Sequence, residues 1–471
     1  MQRDVLLTAL LDGRVKALNE APDAAAGSFV LLWLQGQRRL RGNLAAAHAQ
    51  RRANELGKPL VVYEAIRLDY PYASDRFHRF VIEGAADNAL ACADRGLTYG
   101  FFLDRPGAPR GVLHALASRA AVVVTDWLPS FIHPAQTRKL AARAPCRVEV
   151  VDAAGIAPLS AFPKQELAAR TLRPKITRLL PERLQLAPEV KPTIAAPRRF
   201  DWPFEPLDLP VEGAALDHLL AGLPIDHAVA PVAGTKGGTQ AALQRLRAFV
   251  KRGLHGYAEA RNEPSLGQTS GLSPYLHFGH LGAAEIALAA RGSDAPAADR
   301  DAFLEELIVR RELSLNFAAR CPQHGSIEAA PGWALSTLRD HEKDPRTATY
   351  TDAELETART GDEVWNASQR QLLREGRIHG YLRMLWAKNI LFWSPNAKEA
   401  HRRIAWLNDK YALDGRDAVS ATNFLWIFGL HDRPFPGRAI FGTVRSMTSG
   451  SARRKLDLDE YLARFGPGQK N

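Results

Sequence analysis

FVLLWL at Phe29–Leu34, NLAAAHAQRRANELG at Asn43–Gly57 and LVVYEAI at Leu60–Ile66 follow one another near the start of the chain. The outer two are unbroken apolar runs of strand length, rich in branched and aromatic residues, and the middle one has the period of an amphipathic helix. Strand, crossover helix and strand make one unit of a parallel sheet. The pattern continues with TYGFFL (Thr98–Leu103), AVVVTD (Ala121–Asp126) and VEVVD (Val148–Asp152), and with the helical run GVLHALASRA (Gly111–Ala120) between two of them. A Rossmann-like α/β layout is expected. No GxGxxG follows the first strand, so a dinucleotide in that sheet is not supported; ligands of such folds usually sit at the carboxyl ends of the strands. The opening MQRDVLLTALLDGRVKAL, interrupted by Asp and Arg, reads as an amphipathic helix rather than a signal peptide.

Outward from this block the chain changes character. Between Ala187 and Gly213 it carries Pro188, Pro192, Pro197, Pro203, Pro206 and Pro210 with little periodicity, the mark of an extended connector. Beyond it, runs such as TQAALQRLRAFVKRG, DAFLEELIVRRELSLNFAAR and AKEAHRRIAWLNDKY show helical periodicity, and few candidate strands remain. The expected organisation is an α/β domain over 1–186, a Pro-rich linker over 187–213 and a larger all-helical domain over 214–471.

With 471 residues a single core is unexpected, and two domains are the default. A formal charge of +11 favours a polyanionic partner, although basic balance is also common in ordinary enzymes. Cys92, Cys146 and Cys321 stand alone, with no CxxC spacing for zinc or an iron–sulfur cluster, which fits a reducing compartment. No apolar run approaches membrane-spanning length. A cytoplasmic monomer is expected.

Chemistry is concentrated in the helical half. Trp386 and Trp393 stand seven residues apart in GYLRMLWAKNILFW, so on a helix they share a face, about 10 Å apart along the axis. Indole is readily oxidised and can carry a hole. Two tryptophans on one helical face are ordinarily core, and only their company says otherwise. WNASQ (Trp365–Gln369), HGYLRMLWAK (His379–Lys388), LNDKYALDGRD (Leu407–Asp417) and GLHDRP (Gly429–Pro434) stand around them in that order. RTLRPKI (Arg170–Ile176), TSGLSPYLHFG (Thr269–Gly279) and EELIVRREL (Glu305–Leu313) precede them. In these seven strings the chain resembles the class II cyclobutane pyrimidine dimer photolyases, a branch of the photolyase/cryptochrome family that repairs ultraviolet damage with FAD and light.

The resemblance implies an FAD site in the helical domain. Thr269, Ser270, Gly271, Leu272 and Ser273 match the stretch that holds the pyrophosphate, together with Tyr257. Hydroxyls, a relaxed backbone at glycine and a following helical run suit a phosphate, although such a string is more often a simple helix cap. Arg383 and Asp414, followed by Gly415 and Arg416, match the pattern lying against the isoalloxazine ring, and Asn408 matches the asparagine facing flavin N5. Out of this context they would read as a surface ion pair and a helix-capping Asn. An amide beside N5 can help stabilise reduced flavin, while the cofactor performs the redox step. Trp386, Trp365 and Trp393, ordered from flavin to surface, would photoreduce oxidised FAD. The N-terminal domain of this family can carry a light-gathering antenna chromophore, and no residue of the sequence decides whether one is bound.

For the substrate, ultraviolet-damaged double-stranded DNA, Glu306 matches the carboxyl group that contacts the dimer carbonyls. In a dry pocket its pKa should rise, letting it donate a hydrogen bond. Met384 and Trp426 match apolar residues that pack on the dimer, and photolyases are among the enzymes known to flip their target out of the duplex. Arg433 and Arg445 lie in an Arg-rich C-terminal region suited to phosphates or to plain solvation. Two departures stand out. HDRPF replaces the more usual HDRPW, so Phe435 keeps stacking but loses the indole hydrogen bond. IFGL, between Trp426 and His431, is one residue shorter than usual, which bears on the DNA-intruding loop more than on the flavin site. Val309 stands where other photolyase classes place a tryptophan, in agreement with class II.

Two further readings remain. A cryptochrome-like FAD photoreceptor would signal through a protein partner, and the absence of a long tail after the helical domain weighs against it. A flavin oxidoreductase would need neither light nor damaged DNA. Preference for the cyclobutane lesion over the 6-4 lesion rests on the class II resemblance.

Overall fold

The structure is a computed structural model that describes residues 2–197 and 199–468. An α/β half with a six-stranded sheet precedes a helical half. The strands are β1 (Val15–Ala17), β2 (Phe29–Leu34), β3 (Leu60–Ile66), β4 (Thr98–Leu103), β5 (Ala120–Asp126) and β6 (Arg147–Val151), in the order β1-β6-β5-β2-β3-β4. All neighbours are parallel except β1, which runs antiparallel to β6.

Alternation along the strands builds two cores. Val30, Leu32 and Leu34 face the alanine-rich Leu44–Glu55 helix, together with Leu7 and Leu11. Phe29, Leu31 and Trp33 face the opposite layer, which contains Leu116 and Leu140. Both faces are covered, which is why the strands read as continuous apolar runs. Asn43 starts the Leu44–Glu55 helix by accepting a hydrogen bond from Ala45 N (2.9 Å).

One expectation needs correction. The N-terminal run is not one helix: the helix is Gln2–Leu11, Gly13 takes a left-handed φ of 72°, and β1 follows. Glycine adopts that conformation without a Cβ penalty and so ends the helix. The Pro-rich stretch packs closely on the α/β half. Phe200 meets Phe29 edge-on (5.1 Å), Phe204 meets Phe102 (5.1 Å) and Tyr63 (5.8 Å), and the Trp202 ring lies so close to Gly100 that a Cβ there would come within 2.7 Å of it. The segment is a strap that covers one face of the sheet.

The helical half packs around two buried clusters. Its Arg311–Arg320 helix grips the chain that leaves β6: Ile156 N donates to Glu312 (2.5 Å), and Arg311 Nη1 donates to Ala154 O (2.7 Å). Burial pushes the Glu312 carboxyl up to about 7, against the pull of Arg311. Two stretches, Phe249–Gly253 and Glu305–Arg310, are single π turns, a local insertion often found beside functional sites.

Candidate active site

Asp362 caps the Glu363–Glu375 helix by accepting from Trp365 N (2.9 Å), which fixes Trp365 in the first turn. The Gly380–Trp393 helix brings Trp386 and Trp393 to either side of it. Trp365 stacks on Trp386 with centroids 6.2 Å apart and planes 5° apart, and meets Trp393 edge-on at 5.4 Å. The rings therefore touch in the order Trp386, Trp365, Trp393, with a tryptophan from another helix between the two that share a face. Trp365 Nε1 donates to Trp386 O and Trp386 Nε1 to Gln369 Oε1, each at 2.9 Å. All three indoles are buried, so the outer end of the chain is not an exposed Trp393; the half-buried Tyr350 ring lies 4.9 Å beyond it. The three indoles are thus in contact and shielded from water, and two of them are hydrogen-bonded.

Arg383 and Trp386 are three residues apart and so neighbours on one helix. Arg383 pairs with Asp414 at 3.4 Å in a partly buried setting, not as a surface bridge, and its Nε is buried without a partner. Burial alone would raise the Asp414 carboxyl, but Arg383, the Ser273 hydroxyl and His277 together hold it below the ordinary carboxylate range. Asn408 is buried and donates from Nδ2 to Asp409 Oδ1 (3.1 Å); a Cβ on Gly415 would stand 3.2 Å from that nitrogen. Asp409 also accepts from Arg416 N (2.9 Å). Arg416 itself is in the left-handed region. At a φ of 64° its side chain turns so that the guanidinium lies 3.5 Å over the Phe77 ring, in the wall of a cavity between the two halves.

Thr269–Ser273 forms the expected hydroxyl-bearing loop. The helix after it, Ser273–His277, is a single short piece, so helix polarity contributes little. Positive charge comes instead from two residues not singled out in the sequence. Arg245 donates to Ser270 O (2.6 Å) and Thr269 O (3.2 Å), and Arg377 donates to Thr269 Oγ1 (3.3 Å). Gly271, at a φ of 65°, is packed against Arg245, where a Cβ would come within 2.9 Å of the guanidinium. Ser270 Oγ accepts from the N–H of buried Leu272 (3.3 Å). Hydroxyls flanked by two guanidinium groups suit a pyrophosphate, and the donor set here fits FAD. Arg245 lies in a run that sequence periodicity reads only as an amphipathic helix, and nothing in its spacing marks it.

The Glu305–Arg310 π turn buries Leu307, Ile308 and Val309 and leaves the two carboxylates outward. Glu306 is not in a dry pocket: its side chain is 44% exposed and pairs with Arg261 (2.8 Å). The desolvation expected for it is missing in the free protein. Glu305 binds Arg173 through two contacts (3.0 and 2.7 Å). Tyr257 packs edge-on against Phe249 and Phe303, and burial raises its hydroxyl pKa, with Glu306 nearby adding to the rise. It thus stands by the Glu306–Arg261 pair, and His255 and Gly256 just before it lie against Gln268, which precedes Thr269.

Met384 is partly buried against the core that contains the tryptophans. Asp417 caps the Ala418–Ile427 helix through Ser420 N (2.7 Å), and that helix carries half-buried Trp426 with Arg310 5.6 Å from its ring. Lys388 is buried and donates to Ile427 O (2.5 Å) at the end of the same helix; burial lowers its pKa to about 7. Arg433 and Arg445 are exposed, and the Arg445 guanidinium lies 5.6 Å from the Phe435 ring. Phe435 N donates to Thr443 O (2.8 Å), closing the loop at its base.

A separate cavity of about 480 Å³ opens at the carboxyl ends of β2, β3, β4 and β5. Trp33, Tyr63, Tyr70, Phe102 and Phe131 line it with Arg38, Lys139, Arg143 and Arg416. His133 in its wall is lowered to about 4 by burial and by Arg38. Among the described residues no cluster of His, Cys, Asp and Glu could hold a metal ion, and no helix is long and apolar enough to cross a membrane.

The two-part architecture recurs in solved structures of photolyases and a cryptochrome. A class III photolyase from Agrobacterium tumefaciens aligns with a TM-score of 0.70 at 20% identity, over 94% of this chain and 87% of that one. A cryptochrome from Synechocystis gives 0.69 at 15% identity, over 93% and 88%. An archaeal photolyase from Sulfolobus tokodaii, solved with two FAD molecules, gives 0.65 at 16%, over 93% and 90%. Such identities establish the fold alone. No family model matches the chain. Full-length relatives are more specific. The deoxyribodipyrimidine photo-lyase of Methanothermobacter thermautotrophicus is 36% identical over 96% of this chain and 98% of its own length. That of Oryza sativa is 35% identical over 93% and 87%, and that of Potorous tridactylus 34% identical over 92% and 81%. The chain belongs to the deoxyribodipyrimidine photo-lyase family.

Proposed function

We propose that the protein is a class II photolyase that uses FAD and light to split cyclobutane pyrimidine dimers in ultraviolet-damaged DNA. The observation that carries the reading is the placing of Arg383 and Trp386 three residues apart, with Asp414 paired to the first and Trp365 and Trp393 stacked behind the second. One helix thus joins a charged pair suited to a flavin ring to a path for electrons from the protein interior. When bound, FAD supplies light absorption and a single electron that is lent to the dimer and returned, so the net reaction breaks two carbon–carbon bonds without oxidation.

The chain's own residues prepare this exchange. Arg245, Arg377 and Thr269–Ser273 would hold the pyrophosphate, while Arg383, Asp414 and Asn408 would face the ring. Asp409 engages the Asn408 amide nitrogen, which leaves the carbonyl oxygen to accept from a protonated ring nitrogen. Met384 and Trp426 offer apolar surfaces for the flipped dimer, and Arg433, Phe435 and Arg445 a charged, aromatic contact with the duplex. Docked DNA would displace water around Glu306, so that the carboxyl group enters the dry setting suited to donation when substrate arrives.

The α/β part, taken as residues 1–186 and followed by the 187–213 strap, would serve the helical part, 214–471, as a light collector. Its cavity, aromatic within and cationic at Lys139 and Arg143, suits a flat chromophore with an anionic group. The protein is taken to act as a cytoplasmic monomer.

The test is repair of an oligonucleotide carrying one thymine cyclobutane dimer by purified, chemically reduced protein, under blue light and in the dark. Restoration in the light only is expected. Photoreduction of FAD without repair would transfer the reading to a cryptochrome-like photoreceptor, and light-independent flavin turnover of a small substrate to an oxidoreductase.

A further inference from the structure

Phe162–Ala168, between β6 and the Ala169–Arg183 helix, has neither helix nor strand, yet the helical half holds it firmly. Arg320 Nε donates to Phe162 O (2.9 Å), Asn316 Nδ2 to Lys164 O (3.0 Å), Glu166 N to Asn316 Oδ1 (2.8 Å) and His431 Nδ1 to Leu167 O (2.7 Å). A loop whose backbone is satisfied in this way is stiff. Its tip, Leu167, is 73% exposed, more than any other large hydrophobic side chain among the described residues.

One exposed leucine is ordinary on a protein surface. Its surroundings are not. The His431 ring that holds Leu167 lies 6.4 Å from Trp426, and Arg310 lies 5.6 Å from that indole. Arg310 contacts Glu305 (3.4 Å), and Glu305 binds Arg173 on the helix that begins just after Leu167. These contacts close a ring around one face of the molecule. Lys164 and Arg170 are exposed on either side of the leucine, and the HDRPF loop leaves from the far side of His431. A protein partner would need a broad apolar patch, whereas a single apolar tip between cations suits a nucleic acid backbone and groove.

We propose that Leu167 is a second DNA wedge, packed on sugars and base edges in the minor groove of the duplex beside the lesion, with Lys164 and Arg170 on the flanking phosphates. The His431–Leu167 bond sets its spacing from Phe435. This assignment rests on the photolyase reading. It makes the α/β half a direct participant in reading double-stranded substrate, while a dimer in a single strand needs no such wedge.

The experiment compares the FAD-loaded wild-type protein with Leu167→Ala and Leu167→Glu for binding to one thymine dimer, placed in a duplex or in the same single strand. Flavin absorbance and photoreduction report that each variant is folded. Leu167→Ala should weaken duplex binding about tenfold and single-strand binding less than about twofold, with the glutamate weaker still on duplex. Unchanged duplex binding in both variants would overturn the wedge, as would equal losses on the two substrates. Failure of the wild-type protein to prefer dimer-containing DNA would instead remove the photolyase reading, and the wedge with it.

Discussion

Trp386, Trp365 and Trp393 are buried, in mutual contact, and two of their indole N–H groups are tied to fixed acceptors, whereas Trp426, on the following helix but one, is half-exposed between Arg310 and His431. The first group sits in an apolar cluster; Trp426 meets Arg310, which pairs with Glu305, and the His431 ring. On the proposed function, the difference follows from what each region would do. A path for electrons works when distances do not change and water is absent. A surface for DNA must stay hydrated and charged until the partner covers it, because burying those charges beforehand would cost far more than their pairing returns. Lys388 joins the two regions, since it lies on the helix of Trp386 and Trp393 and holds the end of the helix that carries Trp426.

The sharpest way to break the comparison is Trp386→Phe. Photoreduction of oxidised FAD, followed as bleaching of its absorption under blue light, should fall to background. Bleaching at the wild-type rate would remove the buried path. Next in size is Glu306→Ala on the exposed side, expected to lower repair yield about ten- to a hundredfold while DNA affinity changes little. Equal losses in both would make Glu306 a binding group only. Phe435→Ala should weaken binding of a dimer-containing duplex by about 1–2 kcal/mol, as for loss of one stacking side chain; an unaltered titration would show that the loop stands clear of DNA.

The smallest effect concerns Lys388. Its folded pKa, about 7, is depressed from 10.5 by burial, against the attraction of Asp432 and with some help from Arg445. Its contribution to stability is therefore fully present above pH 10.5 and lost as pH falls through about 7. Between pH 7 and 9 the melting temperature of the wild-type protein should rise relative to Lys388→Met by roughly a few degrees. Parallel pH profiles for the two proteins would show that the ammonium group is solvated in the fold.

Much of this was legible in the sequence where burial is two-sided or periodic. β2, β3, β4, β5 and β6 stand where their apolar runs place them, because a parallel sheet covered on both faces needs such runs. β1 was hidden: its Val-Lys-Ala is exposed and held to β6 by backbone pairing, which leaves no side-chain pattern. The seven-residue spacing of Trp386 and Trp393 shows a shared face but not the ring between them. Trp365 reaches that place through packing of separate helices. Arg245 and Arg377 were silent for the same reason, since their role depends on a loop from elsewhere in the chain. The setting of Arg416 was silent too: the left-handed turn after Gly415 carries its side chain to Phe77. Glu306 was expected in a dry pocket because its role in the resembling family needs one, and the free surface provides Arg261 and water instead.

On the proposed function, the buried tryptophans load the cofactor and the exposed face performs repair, as separable tasks. That separation is tested most directly by the quantum yield of dimer splitting under blue light for Trp386→Phe with its FAD reduced chemically beforehand. The wild-type yield is expected. A yield lost together with photoreduction would contradict it, because the electron that splits the dimer would then depend on the tryptophan path.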